Sequence, residues 1–109
     1  MKEKYDIVIH RGETLKKVIR IKENGVPVNL ENWSGRCHVC SHPDGGNLIL
    51  SIMIIFDLQE NKIVLYARDD ETAAIPSGVY AWDLKLTDPH EVVRYMIGGA
   101  FKVLPVVTE

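Results

Sequence analysis

Hydrophobic and polar residues alternate most regularly at residues 79–86. Alternate side chains of an extended strand point to opposite faces, so this pattern predicts a strand with one buried face. The residues on that face are two aromatics and two leucines: Tyr80, Trp82, Leu84 and Leu86. A break at Pro76-Ser77-Gly78 precedes the segment, and a turn at residues 87–90 follows it. We therefore predict that these four residues form the centre of the hydrophobic core.

Shorter segments of the same kind recur along the rest of the chain. The predicted strands cover residues 5–10, 14–22, 26–30, 36–42, 48–56, 62–67, 92–97 and 100–107. Turn signals separate them, among them Asn24-Gly25, residues 43–46 and Gly98-Gly99. Residues 69–75 are predicted to form one short helical turn, with acidic residues at its start and Pro76 at its end. About seven to nine short strands and no long helix indicate an antiparallel β-sandwich or barrel.

The strand predicted at residues 14–22 contains one irregularity. Leu15, Ile19 and Ile21 share the face predicted to be buried, while Lys16 and Arg20 point to solvent. Lys17 falls on the buried face, so we expect it to lie near an end of the sheet.

Residues 48–56 are apolar on both faces. Ile49, Met53 and Ile55 lie opposite the face predicted to join the core, with only Ser51 as a polar neighbour. An exposed apolar row of this kind favours pairing between chains, so these three residues are the candidate assembly surface. The alternative is a bulge that switches the alternation midway and leaves each half with one solvent-facing side.

The segment Cys37-His38-Val39-Cys40-Ser41-His42 contains residue types that bind zinc. On a strand, Cys37 points away from Cys40, and His38, Cys40 and His42 spread over about 13 Å at 3.3 Å per residue, too far for one ion. We therefore predict no metal site, with Cys37 and Val39 facing inward. The sequence also contains no phosphate-binding loop and no nucleophile motif, so we predict no catalytic residue, no cofactor and no enzymatic activity.

Length and composition limit the remaining possibilities. The 109 residues are typical of a single domain covering residues 1–109, with 46% hydrophobic and 26% charged residues. A net charge of -2 does not favour nucleic-acid binding. The longest apolar run is too short to span a membrane, and residues 1–6 do not resemble a signal peptide. Two cysteines fit a reducing compartment, so we expect the bacterial cytoplasm or an assembly built there.

Several short motifs, in their order along the chain, resemble a known group of proteins. They occupy residues 11–14 (Arg-Gly-Glu-Thr), 24–30, 33–35 (Trp-Ser-Gly), 72–73, 77–87, 99–103 and 107–108. This order is similar to that of small all-β modules in structural proteins of tailed bacteriophages and prophages, as at the N-terminus of baseplate upper proteins and tail-fibre-like proteins. The resemblance implies an immunoglobulin-like β-sandwich and a non-enzymatic virion component of the tail, baseplate or head-tail region. Its implied partners are other virion proteins and further copies of the same chain.

A different class of function stays open from the sequence. Trp33 precedes a predicted strand and could offer an aromatic platform on which a sugar ring stacks. The alternative function is therefore a small ligand- or carbohydrate-binding β-sandwich module.

Overall fold

The computed structural model describes residues 2–42 and 45–106. It is built from strands, with one short helix, α1 (Asp69–Ala73). The strands are β1 (Lys2–Lys4), β2 (Ile7–His10), β3 (Leu15–Ile19), β4 (Lys22–Glu23), β5 (Val26–Pro27), β6 (Ser34–His42), β7 (Gly45–Ser51), β8 (Met53–Asp57), β9 (Lys62–Ala67), β10 (Gly78–Thr87) and β11 (Val93–Leu104). The predicted turn at residues 43–46 and the end of the predicted last strand lie partly outside the described residues. Among the described residues, no helix is long and apolar enough to span a membrane.

The strands form two main sheets and a small hairpin. The large sheet has the order β1-β11-β10-β6-β7, with β2 also paired to β11, and the small sheet has the order β3-β9-β8. Strands β4 and β5 form the hairpin around Asn24-Gly25. Neighbouring strands are antiparallel except that β1 and β2 run parallel to β11. The predicted all-β class is confirmed, whereas the immunoglobulin-like connectivity stays a prediction.

The hydrophobic core lies between the two main sheets, and β10 supplies its centre. Trp82 is 2% exposed, Leu84 and Leu86 are fully buried, and Tyr80 is half-buried. The Tyr80 hydroxyl donates a hydrogen bond to the Pro76 carbonyl at 2.6 Å, which ties the start of β10 to the turn after α1. The small sheet closes the core from the other side with Leu15, Ile63 and Leu65.

The first two strands are one edge strand interrupted at Tyr5-Asp6. The Tyr5 N–H donates to the Gly98 carbonyl at 2.8 Å, and Asp6 Oδ1 accepts from the Ala100 N–H at 2.9 Å. The interruption lies against Gly99, where a Cβ would be 2.5 Å from Asp6 Oδ1 and 2.7 Å from the Tyr5 carbonyl oxygen. The sequence predicts a kink in the last strands at Gly98-Gly99, but β11 is continuous there and the neighbouring strand is the one that is interrupted.

The strand predicted at residues 48–56 is two strands in different sheets. The chain leaves β7 of the large sheet and enters β8 of the small sheet at Ile52, whose N–H donates to the Cys37 carbonyl at 2.9 Å. Within β7 the register with β6 shifts, because Leu50 pairs with Val39 while Leu48 pairs with Cys40. Ile49 is the extra residue of this bulge. Leu48 is consequently exposed and Leu50 buried. The alternative of a bulge is thus met only at the start of the segment, because from Leu50 to Phe56 the buried and exposed positions alternate without a switch.

We expect Trp82→Ala to destabilise the fold by about 3–5 kcal/mol, as large core truncations do. The indole is buried, and its Nε1–H donates to the Tyr5 carbonyl at 2.7 Å. Chemical denaturation followed by circular dichroism measures the loss. Trp82→Phe, which keeps a ring but loses the hydrogen bond, is the control and should cost less. A Trp82→Ala protein that unfolds like the parent would contradict the core assignment.

We expect Gly99→Ala to destabilise by about 1–3 kcal/mol, the usual cost of forcing extra atoms into a packed site. The new Cβ would collide with Asp6 Oδ1 and with the Tyr5 backbone. Adding Asp6→Ala should recover part of the loss, because it removes the nearer of the two obstacles. Equal melting temperatures for Gly99→Ala and the parent would rule out the close packing at Tyr5-Asp6.

Candidate functional site

The outer face of the small sheet carries a continuous group of apolar side chains. Cross-strand pairing places Val18 beside Val64 and Val64 beside Ile55, and the next row places Tyr66 beside Met53. Side chains paired in this way lie about 5 Å apart on one face of a sheet. We call these five residues, Val18, Met53, Ile55, Val64 and Tyr66, the outer patch.

The edges of the outer patch are open to solvent. Met53 is 60% exposed, Val18 46% and Ile55 43%, while Val64, on the central strand between them, is 8% exposed. At its border Lys16 pairs with Tyr66 on one side, and Asp57 pairs with Lys62 on the other. An apolar centre with charges of both signs at the border is the usual composition of a protein contact surface.

Two of the three predicted assembly residues belong to the outer patch. Met53 and Ile55 lie on β8, but Ile49 is half-buried in the β7 bulge of the other sheet and packs against the core. Sequence reasoning missed Val18, Val64 and Tyr66. The signal for the last two was present, because residues 63–67 are apolar on both faces of the strand.

Strand β8 adds an open edge to this surface. It pairs with β9 on one side, and no described strand pairs with its other side. Residues 45–56 contain no charged residue and no proline, the devices that usually protect an edge strand. Asp57 is the one charged residue of β8 and lies at its end, and part of β6 lies close to β8. No described strand pairs with the backbone groups of this edge.

The cysteine and histidine segment lies on β6, between β10 and the edge strand β7 of the large sheet. Cys37 is 1% exposed and faces the core, and burial, together with the negative charge of Asp83, raises the pKa of its thiol to about 12. Cys40 and His38 are half-buried. Among the residues that the structure describes, no group of three or more His, Cys, Asp or Glu residues could hold a metal ion.

Strand pairing places a serine, a histidine and an aspartate side by side, which their spacing along the sequence does not reveal. Ser51 on β7 pairs with His38 on β6, and His38 pairs with Asp83 on β10, so the three lie in one row across the sheet. A catalytic triad requires hydrogen bonds from serine to histidine and from histidine to aspartate. In the described residues neither bond is formed, so the row does not have the geometry of a triad.

Trp33 directly precedes β6 and lies against the first residues of β11. Its ring stacks on Tyr95, with ring centroids 6.1 Å apart and an interplanar angle of 29°. The Tyr95 hydroxyl donates to Glu23 at 2.7 Å, and Arg94 donates to the same carboxylate oxygen at 2.6 Å. Trp33 is also half-buried against the core. Its ring is therefore engaged in packing, while the two hydrogen bonds to Glu23 hold the hairpin against β11.

Comparisons with known proteins bear on the fold. The sequence matches no known family model and no curated relative. Among solved structures, a Listeria monocytogenes internalin-like protein superposes with a TM-score of 0.51 at 17% identity, over 90% of this chain and 27% of that protein. A family 123 glycoside hydrolase from Clostridium perfringens superposes with a TM-score of 0.44 at 16% identity, over 98% of this chain and 24% of the hydrolase. The chain thus corresponds to about a quarter of each protein's length, and the first likeness supports the fold alone.

We expect a thiol reagent to modify Cys40 in the folded protein and Cys37 only after unfolding. Cys37 is buried and stays a neutral thiol below a pH of about 12, and the thiolate is the reactive form. Timed alkylation followed by peptide mass spectrometry measures both sites. The variant Cys40→Ser should show no reaction while folded, and rapid labelling of Cys37 in that variant would contradict its placement.

The raised pKa of the Cys37 thiol also predicts how the stability of the fold depends on pH. The unfolded chain ionises Cys37 near its ordinary pKa of 9.0, whereas the folded chain keeps the proton up to about 12. The contribution of Cys37 to the free energy of unfolding is therefore complete below pH 9 and decreases as the pH rises through this window. Denaturation of the parent and of Cys37→Ala at several alkaline pH values isolates this contribution.

Proposed function

We propose that this chain is a non-enzymatic assembly module that binds a second copy of itself through the outer patch. The observation that carries the proposal is the apolar row across all three strands of the small sheet, with Met53, Val18 and Ile55 open to solvent. Burying a large apolar side chain gains about 1.5–3 kcal/mol. A contact that covers these side chains has a substantial driving force.

The charges around the outer patch suit a contact between identical chains. In a two-fold contact the same surface is used by both copies, so a border of a single sign would repel its own image. Here Lys16 and Lys62 are accompanied by Asp57, and Lys62 already pairs with Glu60 at 3.0 Å. The border therefore offers both donors and acceptors to a second copy.

The open edge of β8 lies directly beside the outer patch. Two copies that align their β8 strands would continue one small sheet into the other and join their outer patches into one surface. Backbone hydrogen bonds would fix the relative position of the copies, and Met53 and Ile55 would be covered by the same contact.

The biological setting that we propose is a tailed bacteriophage or prophage. Its support is the order of motifs along the chain together with an immunoglobulin-like arrangement, which we also propose. Three features favour that arrangement: the strand order β2-β11-β10-β6-β7 facing β3-β9-β8, the helix between β9 and β10, and the bond from Tyr80 to Pro76, which corresponds to a tyrosine corner. In this setting the partners are other tail, baseplate or head-tail proteins, and the module passes from the bacterial cytoplasm into the virion.

One observation favours the alternative of a small ligand-binding module. A trough of about 520 Å³ on the large sheet has a floor of small residues, including Ala81 and Ala100, and is also lined by Asp6, His38 and Asp83. Such a surface could accept a polar ligand, although it does not include Trp33.

We expect the double variant Met53→Lys, Ile55→Glu to convert an oligomer into a folded monomer. It places two charges in the outer patch and leaves the net charge unchanged. Light scattering over a range of concentrations gives the mass, and circular dichroism establishes that the variant is folded.

The matched control is Val79→Lys, Val8→Glu, which makes the same charge change at two exposed positions of the large sheet. This control should keep the mass of the parent. A parent protein that stays monomeric at high concentration, or a patch variant that stays oligomeric, would overturn the proposal.

A further inference from the structure

A second opening lies between the two sheets, at the edge where β3 faces the first strands. It is a cavity of about 230 Å³. Its apolar walls come from both sheets and include Ile7, Leu65, Trp82 and Ile97. The interruption at Tyr5-Asp6 contributes to its rim, because Tyr5 is among the lining residues.

Both charged residues among the lining residues are lysines. Lys17 is the residue that breaks the alternation of β3, and it pairs with the fully buried Leu65 on the inner side of the small sheet. Its side chain is half-buried there, while Lys4 lies on the opposite rim and is exposed. Neither lysine forms an ion pair with a described residue.

The cavity is therefore flanked by two positive charges that have no counter-charge among the described residues. Lys17 is half-buried and keeps contact with water, so an anion placed beside it would gain a charge-assisted hydrogen bond. The walls of the cavity are apolar. The complement of such a site is a molecule with an anionic head and an apolar body.

We propose that this cavity binds a small carboxylate amphiphile of the fatty-acid type, with its chain between the sheets and its carboxylate at Lys17 and Lys4. The volume is below the range of about 300–1,000 Å³ that is typical of sites for drug-sized ligands, so the ligand is a short- or medium-chain acid. This site differs from the outer patch, although the two adjoin at β3, where Val18 belongs to the outer patch and also lines the cavity.

The protein provides its own reporter for a binding experiment. Trp82 lines the cavity and Trp33 does not, and the sequence has these two tryptophans. In a Trp33→Phe background, the emission of Trp82 reports occupancy of the cavity. Octanoate is the probe, octanol provides the chain without the charge, and acetate provides the charge without the chain.

We expect octanoate to change the Trp82 emission saturably and to raise the melting temperature, as any ligand of the folded state does. Octanol and acetate should bind at least about tenfold more weakly, the value of one charge-assisted contact. Lys17→Met should weaken octanoate binding by a similar factor, and Lys17→Arg should retain it. Lys85→Met, which removes an exposed lysine from β10, is the matched control and should bind like the parent.

Two results would overturn the proposal. One is the lack of a saturable response to octanoate, and the other is equal affinity for octanoate and octanol. The second comparison uses the unmodified Lys17, so it decides the question even if Lys17→Met fails to fold. Since ligand binding and oligomer mass are measured separately, failure of one proposal leaves the other standing.

Discussion

The hydrogen bond from the Trp82 indole to the Tyr5 carbonyl connects the central strand of the large sheet to an edge strand 77 residues earlier in the chain. A buried indole N–H needs an acceptor, and the chain supplies it by interrupting its first strand. That interruption requires a neighbour without a side chain, which is Gly99 on β11. The edge strand, the central strand and the last strand are therefore positioned together, and the cavity next to Trp82 is a product of the same arrangement.

A second constraint on the fold is that the chain passes from the large sheet to the small sheet at Ile52. This passage explains why residues 45–56 contain no charge. Residues 45–56 serve first as an edge of the large sheet and then as an edge of the small one. A segment that contributes to the core from both sheets must be apolar along most of its length. The bulge at Ile49 adjusts the alternation in the first half, and the second half leaves Met53 and Ile55 on the outside. The exposed apolar row is thus a consequence of how one segment is shared between two sheets.

The sequence predicts the parts of the fold that depend on local pattern. The alternation in residues 79–86 identifies the inner face of β10, and the acidic residues before Pro76 identify α1. It does not predict which strands pair, because pairing depends on contacts between distant segments. The row formed by Ser51, His38 and Asp83 and the neighbours of Met53 follow from register alone. Ile49 was misplaced for the same reason, since a bulge shifts one strand against its partner without a distinct sequence signal.

Strand β3 shows how the fold tolerates residues on unfavourable faces. Lys17 points inward and Val18 outward, and moving the strand by one residue would correct both. The same shift would expose Leu15 and Ile19, which pack in or against the core together with Ile21. These two core-facing aliphatic side chains outweigh one lysine and one valine, because burying a large apolar side chain gains about 1.5–3 kcal/mol. The observed register of β3 is therefore favoured, although it leaves Lys17 facing inward and Val18 facing outward. Lys17 lines the cavity between the sheets, and Val18 completes the outer patch and also lines the cavity. The two surfaces proposed for binding therefore both depend on the register of a single strand.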